Sequence, residues 1–241
     1  MQSFEPYLRE IHQTLHSIGN VSEADLARMA NIVNQVPGYG NIKQFCFFNR
    51  LLTAFPIQKI LLIGVYRGRD ASFILDAARH HGIEVHLTGV DKFSDDFCED
   101  WPEEKRGQNW ADAGFGVAPS IEETHRHLAQ VGFENVNLIK STDEAFLASC
   151  QETYDLIYLD TAHDYETVLR QIYQVQGLLH PNTIISGDDY SDKDTWGVIK
   201  AVKENTIQHS VFMDWIWFTT AANISPKRRS VRRHFPHLVQ S

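Results

Sequence analysis

The chain has 241 residues, 43% of them hydrophobic and 22% charged, and its 31 acidic against 22 basic residues give a formal net charge of −9. That length suits one large α/β domain or a domain with a small appendage, and the composition is sufficient to bury a core. The acidic balance argues against a nucleic-acid surface, which needs a basic face to neutralise phosphate, and against an anionic membrane surface.

The three cysteines, Cys46, Cys98 and Cys150, are widely spaced and form neither a metal-ligand pair nor a disulfide framework, so a reducing cytoplasm is the expected location. No signal peptide is expected from Met1-Gln2-Ser3-Phe4-Glu5-Pro6, and no apolar stretch approaches the length of a membrane span.

Residues 7–35 read as two helices. Leu8, Ile11, Leu15 and Ile18 keep a helical spacing up to Gly19-Asn20, and Ser22 then caps a second helix with Asp25 three residues on. Pro37-Gly38-Tyr39-Gly40 is a turn, and 42–54 a helix leading into the sheet. From Lys59 strands and helices alternate. The strands are Ile60–Gly64, Glu84–Asp91, Val136–Ile139, Asp155–Asp160 and Thr183–Ser186. The helices are Ala71–His80, one capped by Ser120 with Glu123 in the reciprocal position, Asp143–Cys150, Asp164–Leu179 and 194–204. Residues 207–220 read as a last pair of strands. This alternation predicts a doubly wound, mainly parallel, Rossmann-like seven-stranded sheet with helices on both faces and extra N-terminal helices. Residues 94–119 break the rhythm: they are acidic, carry Trp101, Trp110 and Phe115, and contain Gly107, Gly114, Gly116 and Pro119.

Ligands of open parallel sheets bind outside the carboxyl ends of the strands, and three acids fall there. Asp160 follows Tyr154–Leu159, and Asp188-Asp189 follow Thr183–Gly187. Converging carboxylates repel unless a proton or cation intervenes, and a hard divalent ion with oxygen ligands answers that need. His163, three residues past Asp160, is placed either to take a proton from a substrate hydroxyl or simply to hydrogen-bond a carbonyl or the substrate. Upstream, Gly64-Val65-Tyr66-Arg67-Gly68 leaves the first strand without the Gly-x-Gly-x-x-Gly of pyrophosphate binders. Asp91 ends the second strand, where a carboxylate can accept from ribose hydroxyls or cap a loop. Thr142 and Asp143 follow the third strand, placed to contact an adenine edge, to cap the next helix, or both.

With these residues in view, the chain resembles the class I methyltransferases that use S-adenosylmethionine. More narrowly it resembles metal-dependent small-molecule O-methyltransferases of the macrocin O-methyltransferase type, and more distantly catechol O-methyltransferase. The resemblance runs from about Gly38 to Lys203. It rests on Gly64–Phe73, on Leu159-Asp160-Thr161-Ala162-His163-Asp164-Tyr165-Glu166 and on Gly187-Asp188-Asp189-Tyr190. It implies that Asp160, Asp188 and Asp189 hold Mg²⁺ or a similar ion, that Gly64, Tyr66, Gly68, Asp91, Thr142, Asp143 and Asp160 line the cofactor, and that His163 and Asp160 serve catalysis. Two positions depart from the family pattern. Leu62 stands where an acid commonly supports the methionine end of the cofactor, and Ala162 replaces the middle acid of an Asp-Gly-Asp-His signature.

The chain divides into an N-terminal helical region over 1–55, suited to a lid or a subunit contact, a catalytic domain over 56–222 with a lid insertion at 94–119, and a basic tail over 223–241. The tail is either solvated or a contact for a subunit or an anion. The expected activity is O-methylation of a small-molecule hydroxyl on a diol, catechol or sugar, of the kind that tailors natural products, by a protein with no nucleic-acid or membrane partner and room for a homodimer. The competing readings are a nucleotide-dependent oxidoreductase, disfavoured by the missing glycine motif, and a cofactor- or metal-binding domain without catalysis.

Overall fold

The computed structural model describes residues 21–95, 101, 103–105, 107–225 and 228–239. The helix expected over Leu8–Ile18 lies outside them. Among the described residues there are seven strands: β1 (Lys59–Ile63), β2 (His86–Asp91), β3 (Asn137–Lys140), β4 (Tyr154–Leu159), β5 (Leu179–Gly187), β6 (Ser210–Phe212) and β7 (Ile216–Thr220). They form one sheet in the order β3-β2-β1-β4-β5-β7-β6. β1 to β5 pair in parallel, and β7 runs antiparallel to both β5 and β6. The helices are α1 (Glu23–Gln35), α2 (Ile42–Ala54), α3 (Arg69–His80), α4 (Ile121–Gln130), α5 (Asp143–Ser149), α6 (Tyr165–Gln174), α7 (Val198–Asn205) and α8 (Arg228–His234).

Successive strand residues point to opposite faces, so the unbroken apolar runs of β1 and β4 feed two cores. On one face Ile60, Leu62, Leu156, Tyr158 and Ile184 pack with Phe45, Phe47 and Phe48 of α2 and Phe73 of α3. On the other, Leu61, Ile63, Ile157, Leu159 and Ile185 pack with Val168 and Ile172 of α6 and Val202 of α7. The chain winds outward from β1 to β2 and β3, then returns to β4 on the opposite side of β1. This reversal opens a crevice at the carboxyl ends of β1 and β4, where doubly wound sheets bind ligands.

Helix starts follow local chemistry. Ser22 and Asp25 form a reciprocal capping box, as do Asn41 and Gln44, and Ser120 accepts from the backbone N–H of Glu123. Several elements differ from their expected extents, most of all the helix after Asp164 and β5. The helix after Asp164 ends at Gln174 and tightens into a 3₁₀ turn over Val175–Leu178. β5 begins at Leu179, because a register shift opposite Tyr154–Leu156 accommodates Pro181 in a bulge. There Thr183 Oγ1 accepts from His180 N (2.9 Å) and donates to Tyr154 O (2.7 Å). The tail is not wholly solvated: Val231 is buried, and His234 Nδ1 lies 3.5 Å from Glu166 Oε1. Among the described residues no helix is long and apolar enough to cross a membrane.

Candidate active site

The β-ladder continues one residue past β1, β4 and β5. Gly64 N donates to Val90 O (2.8 Å), Asp160 N to Ile63 O (2.7 Å) and Asp188 N to Leu159 O (3.1 Å). Asp160 and Asp188 therefore occupy neighbouring positions on one further rung, and paired residues of adjacent parallel strands share a face at a spacing of roughly 4.8 Å. Asp189 leaves the rung through a left-handed backbone (φ 54°), a conformation that aspartate tolerates better than most residues. That turn carries Asp189 back toward Asp160. Nε2 of His163 lies 2.9 Å from Asp189 Oδ2 and 3.5 Å from Asp160 Oδ1. One ligand atom from each of Asp160, His163 and Asp189 falls within 4.8 Å of the others. His163 is braced by Trp196, with ring centroids 5.0 Å apart, and by Gly197 N, which donates to His163 O at 2.8 Å.

Asp188 lies deeper. Gln44 Nε2 donates to its Oδ2 at 2.7 Å, while its buried Oδ1 has no hydrogen-bond partner among the described residues. The amide of Gln44 is oriented by its cap: its oxygen accepts from Asn41 N (2.9 Å), so its nitrogen faces the acid. Burial pushes the Asp188 carboxyl well above the ordinary carboxylate value, and the charges of Asp160 and Asp189 push it further. Burial also raises Asp160, against the opposing pull of His163. Tyr158, fully buried beneath them, is raised by burial and then by Asp188 and Asp70. Acids forced together at this cost suit a cation, and a donor set of carboxylate oxygens fits an oxygen-preferring divalent ion.

On the β1 side, Gly64 has φ 91°, and a Cβ there would lie 1.5 Å from the carbonyl oxygen of Asp160. Only glycine lets the two strand ends meet so closely. Asp91 holds the loop that follows: Oδ2 accepts from Val65 N (2.9 Å) and Tyr66 N (2.8 Å), and Oδ1 accepts from Phe93 N (2.8 Å). A carboxylate has about four acceptor sites, so capacity for a ligand hydroxyl remains. Gly64, Tyr66, Gly68, Asp91 and Asp160 thus gather at the β1–β4 crevice. Thr142 and Asp143 stand farther along, after β3. Thr142 caps α5 through Ala145 N (3.2 Å), and Asp143 Oδ2 accepts from Arg170 (3.0 Å) and Gln171 (2.6 Å). Their helix-capping and bracing contacts are the ones present; Ser141 N, bonded to Asp91 O at 3.0 Å, links their loop to the crevice.

The aromatic residues of the insertion pack on one another and on the β1 loop. Trp110 stacks on Tyr66 (5.4 Å, 22°), which stacks on Tyr39 (5.4 Å, 21°), while Trp101 and Phe115 contact Trp110 from the side. Tyr66 is itself in a left-handed conformation (φ 51°), a strained state for an aromatic residue. Gln44 and Asp70 are site residues that the sequence reading did not assign. The Asn41-x-x-Gln44 capping pattern signals the first. Burial, visible only in the fold, marks the second. Leu62 is wholly buried in the apolar core and brings no polar group to the crevice.

Residues 61–190 match the family model described as a methyltransferase domain, which is more than half of the chain. No curated protein matches. Among solved structures the chain is similar to the O-methyltransferase NovP, with 14% identity and a TM-score of 0.58 over 93% of this chain and 100% of that one. It is also similar to the SAH-bound Podospora anserina methyltransferase PaMTH1, with 14% identity and a TM-score of 0.56 over 91% and 97%. Cofactor-bound Rv0187 from MTB aligns with 14% identity and a TM-score of 0.54 over 92% and 100%. At such identity these likenesses speak to the fold, and the family match adds the activity: the chain belongs to the methyltransferase domain family and is a class I S-adenosylmethionine-dependent methyltransferase.

Proposed function

We propose that the protein methylates a hydroxyl oxygen of a small molecule, with a divalent cation held by Asp160, Asp188 and Asp189. The observation that carries this reading is the shared rung of Asp160 and Asp188, with Asp189 turned back beside Asp160 and His163. A hydroxyl is a weak nucleophile until it loses its proton. A bound divalent ion would lower the pKa of hydroxyl oxygens coordinated to it and fix their position. The carboxylates hold charge without reacting. Nε2 of His163 lies beside Asp160 and Asp189, and that proximity supports the reading of His163 as the group that takes the hydroxyl proton. Transfer is a direct displacement at the sulfonium methyl, so alignment of the acceptor oxygen supplies much of the rate.

A wall beside the acids suits a ring-bearing acceptor. Trp196 contacts both His163 (5.0 Å) and Trp215 (6.3 Å), and Lys43 Nζ lies 4.3 Å from the Trp215 ring. All four side chains are half-buried, and they are of the kinds that stack on a ring or donate to one. A sugar diol or catechol, with paired oxygens to chelate and a face to stack, matches this wall.

Calorimetric titration of S-adenosylhomocysteine and Mg²⁺ into wild type and the double variant Asp188→Ala/Asp189→Ala tests the reading. Cofactor binding is expected to survive and metal binding to vanish, with Mg²⁺-dependent methylation of a diol panel by wild type. Wild type that binds cofactor but methylates the panel equally well in chelator overturns the metal assignment.

A further inference from the structure

The contacts beside the acids close on themselves. From Asp189 they pass to His163 (2.9 Å), from His163 to Trp196 (ring centroids 5.0 Å apart) and from Trp196 to Trp215 (6.3 Å). Lys43 Nζ lies 4.3 Å from the centre of the Trp215 ring, and Gln44, the next residue of α2, donates to Asp188 Oδ2 (2.7 Å). Tyr190 N, one residue past Asp189, donates to Trp215 O at 2.8 Å and ties this circuit to the end of β5. Lys43 thus belongs to the same ring of side chains as the acids. Among the described residues, however, its ammonium forms no ion pair with a carboxylate.

The position of Lys43 runs against local physics. It is the second residue of α2, and its backbone N–H donates to Oδ1 of the N-cap Asn41 at 2.9 Å. The first turn of a helix carries partial positive charge and favours acids. This turn holds no acid, and a lysine stands in it. Arg28, Arg67 and Arg170, also half-buried or buried, each lie beside a carboxylate, that of Asp76 (2.9 Å), Glu123 (3.7 Å) and Asp143 (3.0 Å) respectively. The face of Trp215 attracts the Lys43 ammonium but supplies no counter-charge for its three N–H donors. A cation at the positive end of a helix, beside an aromatic wall and without an acid of its own, is suited to an anion from outside. In a chain of net charge −9, an anionic molecule approaching Asp160, Asp188 and Asp189 needs such a cation to offset their repulsion. Resting on the O-methylation reading above, we propose that the methyl acceptor carries an anionic group, a carboxylate or a phosphate, that Lys43 recognises. Its ring lies along Trp215 and Trp196, and its hydroxyls reach the acids and His163.

Two matched pairs of probes test this by calorimetry on protein saturated with S-adenosylhomocysteine and Mg²⁺. One pair is protocatechuate and its neutral amide; the other is glucose 6-phosphate and glucose. A charge-assisted contact predicts that wild type binds the anionic member of at least one pair about fivefold or more tightly than the neutral one. The pair that shows the preference tells a carboxylate from a phosphate. Lys43→Gln keeps a long polar side chain and should bring that ratio to about one, while Lys43→Arg should keep most of it. The ratio is taken within each variant, so the fraction of protein folded does not alter it. Wild type that binds both members of each pair alike, or favours the neutral members, overturns the proposal. A preference unchanged in Lys43→Gln also overturns it, because the anion is then held by another group. Wild type that binds no member of either pair overturns the diol reading beneath the proposal, and the proposal with it.

Discussion

His163 Nε2 stands 2.9 Å from Asp189 Oδ2, so the imidazole and the last acid of the cluster form one unit across the β4 and β5 ends. The unit exists because Asp189 adopts φ 54°; continued as a strand, its side chain would point to the opposite face from Asp188. His163→Gln keeps a polar side chain while removing the group that accepts a proton. It is expected to lower kcat by roughly 10²-fold or more, in the range of general acid–base contributions. The Kd for S-adenosylhomocysteine, read by calorimetry, should be unchanged. A kcat within about threefold of wild type would reduce His163 to a bracing role, since an effect that small falls below acid–base catalysis.

The acids of the cluster carry a pH signature opposite to that of ordinary surface aspartates. Asp160 and Asp188 are raised above the usual 3.8 by burial and by neighbouring charge, so the folded protein holds protons that the unfolded chain has released. Their contribution to stability is present below 3.8 and is lost as pH rises through the raised values. On the proposed function, a cation held by the ionised acids would offset this loss and would bind better as pH rises. Mg²⁺ at about 100 times its Kd contributes about 2.7 kcal/mol. For a chain of this size that corresponds to a gain in Tm of roughly 5–10 °C. Melting at pH 8 and pH 5, with and without Mg²⁺, should show the larger gain at pH 8. A larger gain at pH 5 would contradict the assignment of these acids to a cation.

Much of this arrangement was legible in the sequence, for reasons that particular residues make plain. The apolar runs ahead of Gly64, Asp160 and Asp188 mark strands whose ends must meet in a parallel sheet, and Ser22 and Ser120 mark helix starts through their caps. Contacts across long stretches of chain were not legible. Gln44 reaches Asp188 over 144 residues, and Asp70 is covered by Gly40, whose carbonyl Arg69 holds from 29 residues away in the chain. The start of β5 was not legible either, because Pro181 cannot donate to a ladder and finds its place only in the bulge opposite Tyr154. Whether the lid aromatics face a ligand or one another depends on the left-handed turn at Tyr66, which the residue type disfavours.

The stack of Trp110 on Tyr66 joins the 94–119 insertion to the loop that follows β1, and on the proposal that this insertion is a lid it carries a test. Trp110→Ala removes the central ring of the lid cluster, which also contacts Trp101 and Phe115. An aromatic pair contributes about 1 kcal/mol beyond its buried area, so an insertion acting as the proposed lid should open about fivefold more often. Limited trypsin digestion would read this as about fivefold faster cleavage at Lys105, whose Nζ otherwise donates to Ala113 O at 3.0 Å. Global melting should shift little, because the insertion lies outside both cores. A large fall in Tm with unchanged cleavage at Lys105 would show that the stack serves the fold and not the lid.

Asp155 provides a control far from the chemistry, at the opposite end of the same strand. Its Oδ2 accepts from Gln58 N (2.9 Å) and Lys59 N (2.8 Å), and its Oδ1 lies 2.9 Å from His180 Nε2, so one carboxylate ties the starts of β1, β4 and β5. Burial alone would raise its pKa, but the two backbone donors and His180 outweigh burial and hold it below 3.8. Asp155→Ala removes the acceptor of two backbone N–H groups that are exposed enough to turn to water, and should cost about 1 kcal/mol at neutral pH, a fall in Tm of roughly 2–4 °C. Because the folded value is depressed, this stabilisation is present above 3.8 and disappears as pH falls through the folded value. Denaturant melts should therefore show the wild-type advantage at pH 7 shrinking by pH 3, while S-adenosylhomocysteine affinity at pH 7 stays unchanged. An advantage that persists at pH 3 would mean that packing, and not the ionised carboxylate, joins the three strands.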